Sequence, residues 1–189
     1  MIIFIDLDGV IADFDTAFAR EFEKAYPEIP VIPPSKRKSW SVRDEYGLPL
    51  RTEVDAILNR PGFFESFPPV PGAVDALYQI QGLARVEVFI LTSPLSSAPD
   101  CHGEKVRWVR KHFPGFVDRL IIASDKTILG IRGDVLLDDK PTIQGVRLLV
   151  MTHVVYGRPY NRHVTDKPRL ESWASWERVL RPILGHSPK

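Results

Sequence analysis

The chain is nearly without cysteine, without net charge and without a long apolar run, and each lack excludes a class of protein. Its one cysteine, Cys101, has no partner for an internal disulfide and suits a reducing cytosol. Twenty-five basic against 24 acidic side chains leave a net charge of +1. That field is too weak to gather nucleic-acid backbones or an anionic membrane. No apolar stretch approaches the roughly 18 residues that span a bilayer. The start, Met1 to Ile5, is apolar but has no basic leader, and Asp6 and Asp8 cut it short. It reads as a strand, not as a signal peptide. There is no internal repeat and no low-complexity tract. Proline, with 17 residues in all, is missing before Pro27.

What remains is ordinary globular material, with 44% apolar residues in a chain of 189. That length suits one domain with a small insertion. Apolar runs at Ile2–Ile5, Val86–Leu91, Leu120–Ala123, Val135–Leu137 and Leu148–Met151 read as buried strands. Helical spacing falls between them, over Ile11–Ala25, from Pro71-Gly72 to about Gly82, over Gly103–His112, and from Ser172 onward. Strands alternating with helices predict an α/β fold, a doubly wound parallel sheet with helices on both faces. Between Phe14 and Pro71 the rhythm stops. Prolines stand at 27, 30, 33 and 34, and aromatics recur without a strand pattern. The expectation is a small helical cap over residues 14–70, inserted after the first strand of a core made by 1–13 and 71–189. Within it Lys36-Arg37-Lys38 reads as a solvated basic face. Trp108, Trp173 and Trp176 sit at core spacing, and Cys101 beside His102 has no triad partner by motif.

The polar residues that follow the strands carry the chemistry, because open parallel sheets bind ligands beyond the carboxyl ends of their strands. The first strand runs into Asp6-Leu7-Asp8-Gly9, the second into Thr92-Ser93, the third into Ser124-Asp125-Lys126, the fourth into Asp138-Asp139. Carboxylates are almost never buried unpaired, so two at the tip of a core strand call for a cation or a reaction. Hard oxygen ligands select magnesium. Thr92 or Ser93 and Lys126 suit phosphate oxygens. One Asp can attack phosphorus while a second protonates the leaving alcohol. The bland readings are a solvated turn at Asp6 and Asp8, and a helix cap at Asp138-Asp139. The pattern Gly133-Asp134-x-x-x-Asp138 offers another placement of the fourth motif.

Asp6-Leu7-Asp8-Gly9-Val10, Thr92-Ser93, Lys126 and Asp138-Asp139 resemble the four motifs of the haloacid dehalogenase (HAD) superfamily, phosphatase branch. A narrower resemblance runs along nearly the whole chain. Asp8 to Phe14, Pro61-Gly62-Phe63-Phe64, Gly103 to Val109, Asn161-Arg162-His163 and Ser172-Trp173 are similar to the 5′(3′)-deoxyribonucleotidases. The resemblance implies a HAD Rossmann-like core with Asp6 as nucleophile and Asp8 as general acid/base. It implies Mg2+ on the Asp6 carboxylate, the Asp8 backbone carbonyl and one of Asp138 and Asp139, with Asp139 preferred. It further implies phosphate contacts from Thr92, Ser93 and Lys126. Phe14, Trp40, Val42 and Arg43 would meet a deoxynucleoside monophosphate, in a cytoplasmic homodimer. Ser124 departs from the family, which often carries Arg there. A HAD phosphatase for another small phosphomonoester, such as a sugar phosphate, is the nearest alternative. A dehalogenase would need neither Asp8 nor a metal, and a silent metal- or nucleotide-binding module would not need the full motif set.

Overall fold

The computed structural model describes residues 1–131 and 134–185, so Gly133 of the alternative fourth motif lies outside the described residues. Six strands form one all-parallel sheet: β1 Ile2–Ile5, β2 Glu87–Thr92, β3 Leu120–Ile122, β4 Val135–Asp138, β5 Thr152–Tyr156 and β6 Arg169–Leu170. Their order is β3-β2-β1-β4-β5-β6, which puts β1 in the middle. Alternate residues of a strand face opposite sides. Ile3 and Ile5 therefore join the larger core, together with Val88, Ile90 and Leu137. Phe4 faces a smaller one with Leu91, Leu136 and Met151.

Helices α1 (Phe14–Ala25), α2 (Val42–Tyr46), α3 (Arg51–Leu58), α4 (Ala73–Gln81), α5 (Cys101–His112) and α6 (Trp176–Gly185) complete the fold. The larger core takes Leu77 and Ile80 of α4, Trp108 and Val109 of α5, and Leu180 and Leu184 of α6. The other face is covered by Leu129, Ile143 and Leu149 from the connections flanking β4.

Several element ends shift by a few residues from the sequence expectation, and two of the shifts have a clear physical cause. The fifth strand lies at Thr152–Tyr156, not at Leu148–Met151. Leu148 is in fact 90% exposed, while Met151 tucks under the smaller core. The strand starts where the Thr152 amide reaches the Asp134 carbonyl, and its Val154 and Val155 are the buried apolar pair. The first helix begins at Phe14 rather than Ile11. Residues 7–12 instead make a tight turn in which the amides of Ile11 and Ala12 both donate to the Leu7 carbonyl. Asp13 then caps the helix through the Thr16 amide.

From residue 14 to residue 70 there are helices and turns and no strand. The chain leaves and re-enters the sheet side by side. The Asp13 amide donates to the Pro68 carbonyl and the Val70 amide to the Ile11 carbonyl, each at 2.8 Å. Phe18 and Phe22 of α1 pack against Tyr46, and Phe18 against Phe63. Glu104 of α5, only 2% exposed, accepts the amides of Gly62 and Phe64 and fastens the end of this segment to the core. Trp108 does the same by donating its indole N–H to the Phe67 carbonyl.

Candidate active site

The strand register brings the acidic tips together. Ile5 is level with Ile90 of β2 and with Leu137 of β4, so Asp6, Thr92 and Asp138 emerge at one edge. Gly9 lets the following turn close over them. Its φ is +76°, and a Cβ at that position would overlap Asp139 Oδ2. One cavity of about 310 Å³ lies here. It is lined by Asp6, Asp8, Thr92, Ser93, Lys126, Asp138 and Asp139 from the sheet edge, and by Phe14, Trp40, Val42 and Arg43 from the helical segment. All eleven side chains that the sequence brought forward therefore face one space.

Two buried amines divide the carboxylates. Lys126 reaches Asp6 Oδ1 and Asp138 Oδ2, both at 2.7 Å. Lys105 of α5, with no exposed surface, reaches Asp8 Oδ2 at 2.6 Å, Thr92 Oγ1 at 2.7 Å and the Ser93 carbonyl at 2.8 Å. An ammonium has three hydrogens to donate. Lys105 uses all three on the protein. Lys126 uses two and keeps one for the cavity it lines. Because Thr92 Oγ1 accepts from Lys105, its own hydroxyl hydrogen stays free to donate. Asp8 Oδ1 is buried without a partner among the described residues.

Asp6, Asp138 and Asp139 form the acidic centre, all buried, with oxygens within 4.8 Å of one another. Burial pushes the Asp6 carboxyl up to about 7; Lys126 opposes this, and Asp138 and Asp8 add repulsion. Burial also pushes Asp139 up to about 8, helped by Asp138 and Asp6. Burial alone would lower Lys126, but Asp138 and Asp6 outweigh it and hold the ammonium above its ordinary value. Both groups shift upward for different reasons: burial, with Asp138 and Asp8 beside it, disfavours the charged Asp6, whereas the carboxylates around Lys126 favour its charged form. An all-oxygen donor set with surplus negative charge fits a hard divalent cation.

Asp139 is held on several sides. Its Oδ2 accepts the Tyr160 hydroxyl and its Oδ1 the Trp40 indole N–H at 3.3 Å. Asn161, wholly buried, donates to the Asp139 carbonyl at 2.7 Å. Trp40 is 44% exposed, with the Lys140 ammonium 4.5 Å over its ring. Phe14 packs edge-on against Phe63 and Phe67. Val42 is buried. Arg43 pairs with Asp55 at 2.6 Å and donates to Ser97 at 3.2 Å.

Several of these residues escaped the sequence reading. Lys105 had one available signal: it shares the inner face of α5 with Cys101, Trp108 and Val109, where an unpaired cation has no place. Tyr160 had none of that kind, and Asn161 stood only within the motif Asn161-Arg162-His163, with no contact assigned to it. Arg37 corrects an expectation, since it is not part of a solvated face. It is 5% exposed and paired with the buried Asp15, while Lys36 and Lys38 are exposed. Asp134 sits before β4, at the far end of the strand from the cavity, and accepts the Ile2 amide at 2.8 Å.

Comparison with known proteins bears on this site. The family model described as 5′ nucleotidase, deoxy (Pyrimidine), cytosolic type C protein matches residues 1–184. The human 5′(3′)-deoxyribonucleotidase, cytosolic type, is 38% identical over 187 residues, covering 94% of this chain and 92% of its own. The human mitochondrial 5′(3′)-deoxyribonucleotidase is 35% identical, covering 94% and 81%. Among solved structures, a haloacid dehalogenase-like protein of Agrobacterium tumefaciens superposes with a TM-score of 0.64 at 15% identity, covering 96% of this chain and 98% of its own. YfnB of Bacillus subtilis, solved bound to magnesium, gives 0.58 at 14% identity, covering 98% of each. At such identities the likeness is one of fold.

Proposed function

The chain belongs to the deoxyribonucleotidase family, hydrolases of phosphoric monoesters, and on that premise we propose that it removes phosphate from deoxyribonucleoside monophosphates through an aspartyl-phosphate on Asp6. The observation that carries this reading is the division of the carboxylates between the two amines. Asp6 lies in the metal-ready cluster, while Asp8 lies outside it, paired with Lys105, and keeps one oxygen unpartnered among the described residues. Two carboxyl groups in unlike surroundings suit a nucleophile and an acid/base.

In this mechanism Lys126 donates its remaining hydrogen, and Thr92 its hydroxyl hydrogen, to phosphate oxygens, with Ser93 beside them. Asp6 attacks phosphorus while Asp8 gives its proton to the departing sugar oxygen. Asp8 then takes a proton from the water that hydrolyses the aspartyl-phosphate, releasing inorganic phosphate. Lys105 has no donor left for substrate, so its part is to orient Asp8 and Thr92. Asp6, the Asp8 carbonyl and Asp139 would hold Mg2+, which supplies positive charge for the phosphoryl oxygens and keeps Asp6 ionised. Asp138 remains with Lys126.

Residues 14–70 act as a cap on the core of 1–13 and 71–189, in keeping with the paired entry and exit of that segment. Phe14, Trp40, Val42 and Arg43 form the wall against the base, with the exposed Trp40 ring as the stacking surface. No described helix is long and apolar enough to cross a membrane. A cytoplasmic homodimer is the setting this reading carries, and the single buried Cys101 agrees with a reducing compartment.

The test is phosphate release, with magnesium, from dUMP, UMP and a hexose phosphate. The expected order puts dUMP first, and preference for the hexose phosphate would refute the nucleotide reading. Asp6→Asn should abolish turnover with the thermal transition retained; full activity in that variant would refute the covalent step.

A further inference from the structure

We infer that Arg37 is a positioning residue that holds Trp40 at the cavity mouth and thereby sets selection for a phosphomonoester bearing a base. This rests on the proposed stacking role of Trp40. The stretch from Lys38 to Ser41 has no regular structure, lying between the 3₁₀ turn Pro34–Lys36 and α2. Its outer side is held by Glu45, which accepts the Lys38 amide at 2.7 Å. Its inner side is held by Arg37. One nitrogen, Nη2, donates to the Ser39 carbonyl at 2.8 Å and to the Trp40 carbonyl at 2.7 Å. The other, Nη1, pairs with Asp15 in the first turn of α1. The guanidinium also lies over the Tyr160 ring, 4.8 Å from its centre, and Tyr160 in turn donates to Asp139.

Stability does not explain this arrangement. A buried ion pair often contributes little, because both charges lose their water. Here Arg37 Nε and Asp15 Oδ2 are buried with no hydrogen-bond partner among the described residues. An apolar pair would fill the space without those orphans. What an apolar pair could not do is hold two successive carbonyls with one nitrogen of a rigid planar fork while the other nitrogen is tied to Asp15. The fork fixes the Trp40 backbone directly and ties it to α1 and to the Tyr160–Asp139 contact. The polar contacts of the Trp40 side chain among the described residues are its indole bond to Asp139 and the Lys140 ammonium over its ring. A stacking ring that half faces water needs such an anchor, since ordering it on binding would weaken affinity.

The experiment compares kcat/KM for dUMP with that for glycerol phosphate, a substrate without a base, in the full magnesium-loaded chain. Trp40→Ala should lower the ratio about tenfold, the order expected for one base–aromatic stack. Arg37→Lys keeps a cation for Asp15 but lacks the fork, and should lower the ratio several-fold through KM for dUMP. The double variant should fall no lower than Trp40→Ala alone, because both act through one ring. If Arg37→Lys does not fold, the neutral pair Asp15→Asn with Arg37→Gln takes its place with the same expectation. An unchanged ratio in the Arg37 variant, or effects that multiply in the double variant, would overturn the positioning role and leave the nucleotidase reading standing. An unchanged ratio in Trp40→Ala would overturn both the stacking role and this inference.

Discussion

Replacing Lys105 by Met separates an orienting amine from one that grips phosphate. Met keeps an unbranched, apolar stem in the fully buried position and removes the ammonium group. Three hydrogen bonds go, to Asp8 Oδ2, Thr92 Oγ1 and the Ser93 carbonyl. The two neutral acceptors should lose about 1 kcal/mol each. The Asp8 side chain is 27% exposed, so water replaces part of what it loses. Its share stays well below the roughly 3–5 kcal/mol of a fully buried orphan. Against this, Met no longer carries the desolvation penalty of a buried ammonium. The net is a loss of about 1–3 kcal/mol, or about 3–10 °C in Tm for a domain of this size. The effect on turnover should be larger. General acid–base catalysis contributes about 10²–10⁴-fold, and a mis-aimed Asp8 should forfeit about 10–100-fold in kcat. KM for dUMP should move less than kcat, because Lys105 has no hydrogen left to give a substrate and reaches phosphate only through the orientation of Thr92. Thermal unfolding and steady-state phosphate release measure both. A large rise in KM with kcat preserved would mean that Lys105 binds phosphate. An unchanged kcat and Tm would refute the orienting role altogether.

Gly9→Ala places a methyl group against Asp139 Oδ2 at a φ of +76°, so backbone strain and a displaced carboxylate act together. A loss of about 2 kcal/mol or more is expected, with weakened magnesium binding by calorimetry; a wild-type Tm and affinity would contradict the close approach. Stability of the metal-free chain should depend on pH with a definite sign. Asp6 at about 7 and Asp139 at about 8 hold protons in the folded state that the unfolded chain, at 3.8, has already released. Stability therefore falls as pH rises from about 4 to about 8. Lys126, raised above 10.5, contributes throughout that window and does not alter the slope. Magnesium requires ionised ligands, so its gain in Tm should be greater near pH 8 than near pH 5. The reverse order would show that the acidic centre is not where the metal stabilises the protein.

Local pattern carried much of this molecule. The alternation of apolar runs and helical spacing shows in the sequence because burial of a parallel strand demands a continuous apolar stretch. Failures came where burial and apolarity parted company. Leu148 looks like a strand residue and lies in water, whereas Thr152 and His153 begin the real strand because the Asp134 carbonyl is there to pair with. β6, at two residues, is too short to have a period.

The sequence by itself determined that carboxylates stand at the tips of neighbouring core strands, with hydroxyls and a lysine at the others. Each such residue lies within three positions of the end of an apolar run, so its position depends on local order alone. Only the tertiary structure decided which cation serves which carboxylate. Lys105 and Asp8 are 97 residues apart and Trp40 and Asp139 are 99. Pairings of that range are set by the register of β1 against β2 and β4 and by the docking of α5 beneath them. The same distance effect hid Arg37, which reads as surface charge in its own neighbourhood. It is buried because Asp15, Tyr160 and two carbonyls close around it.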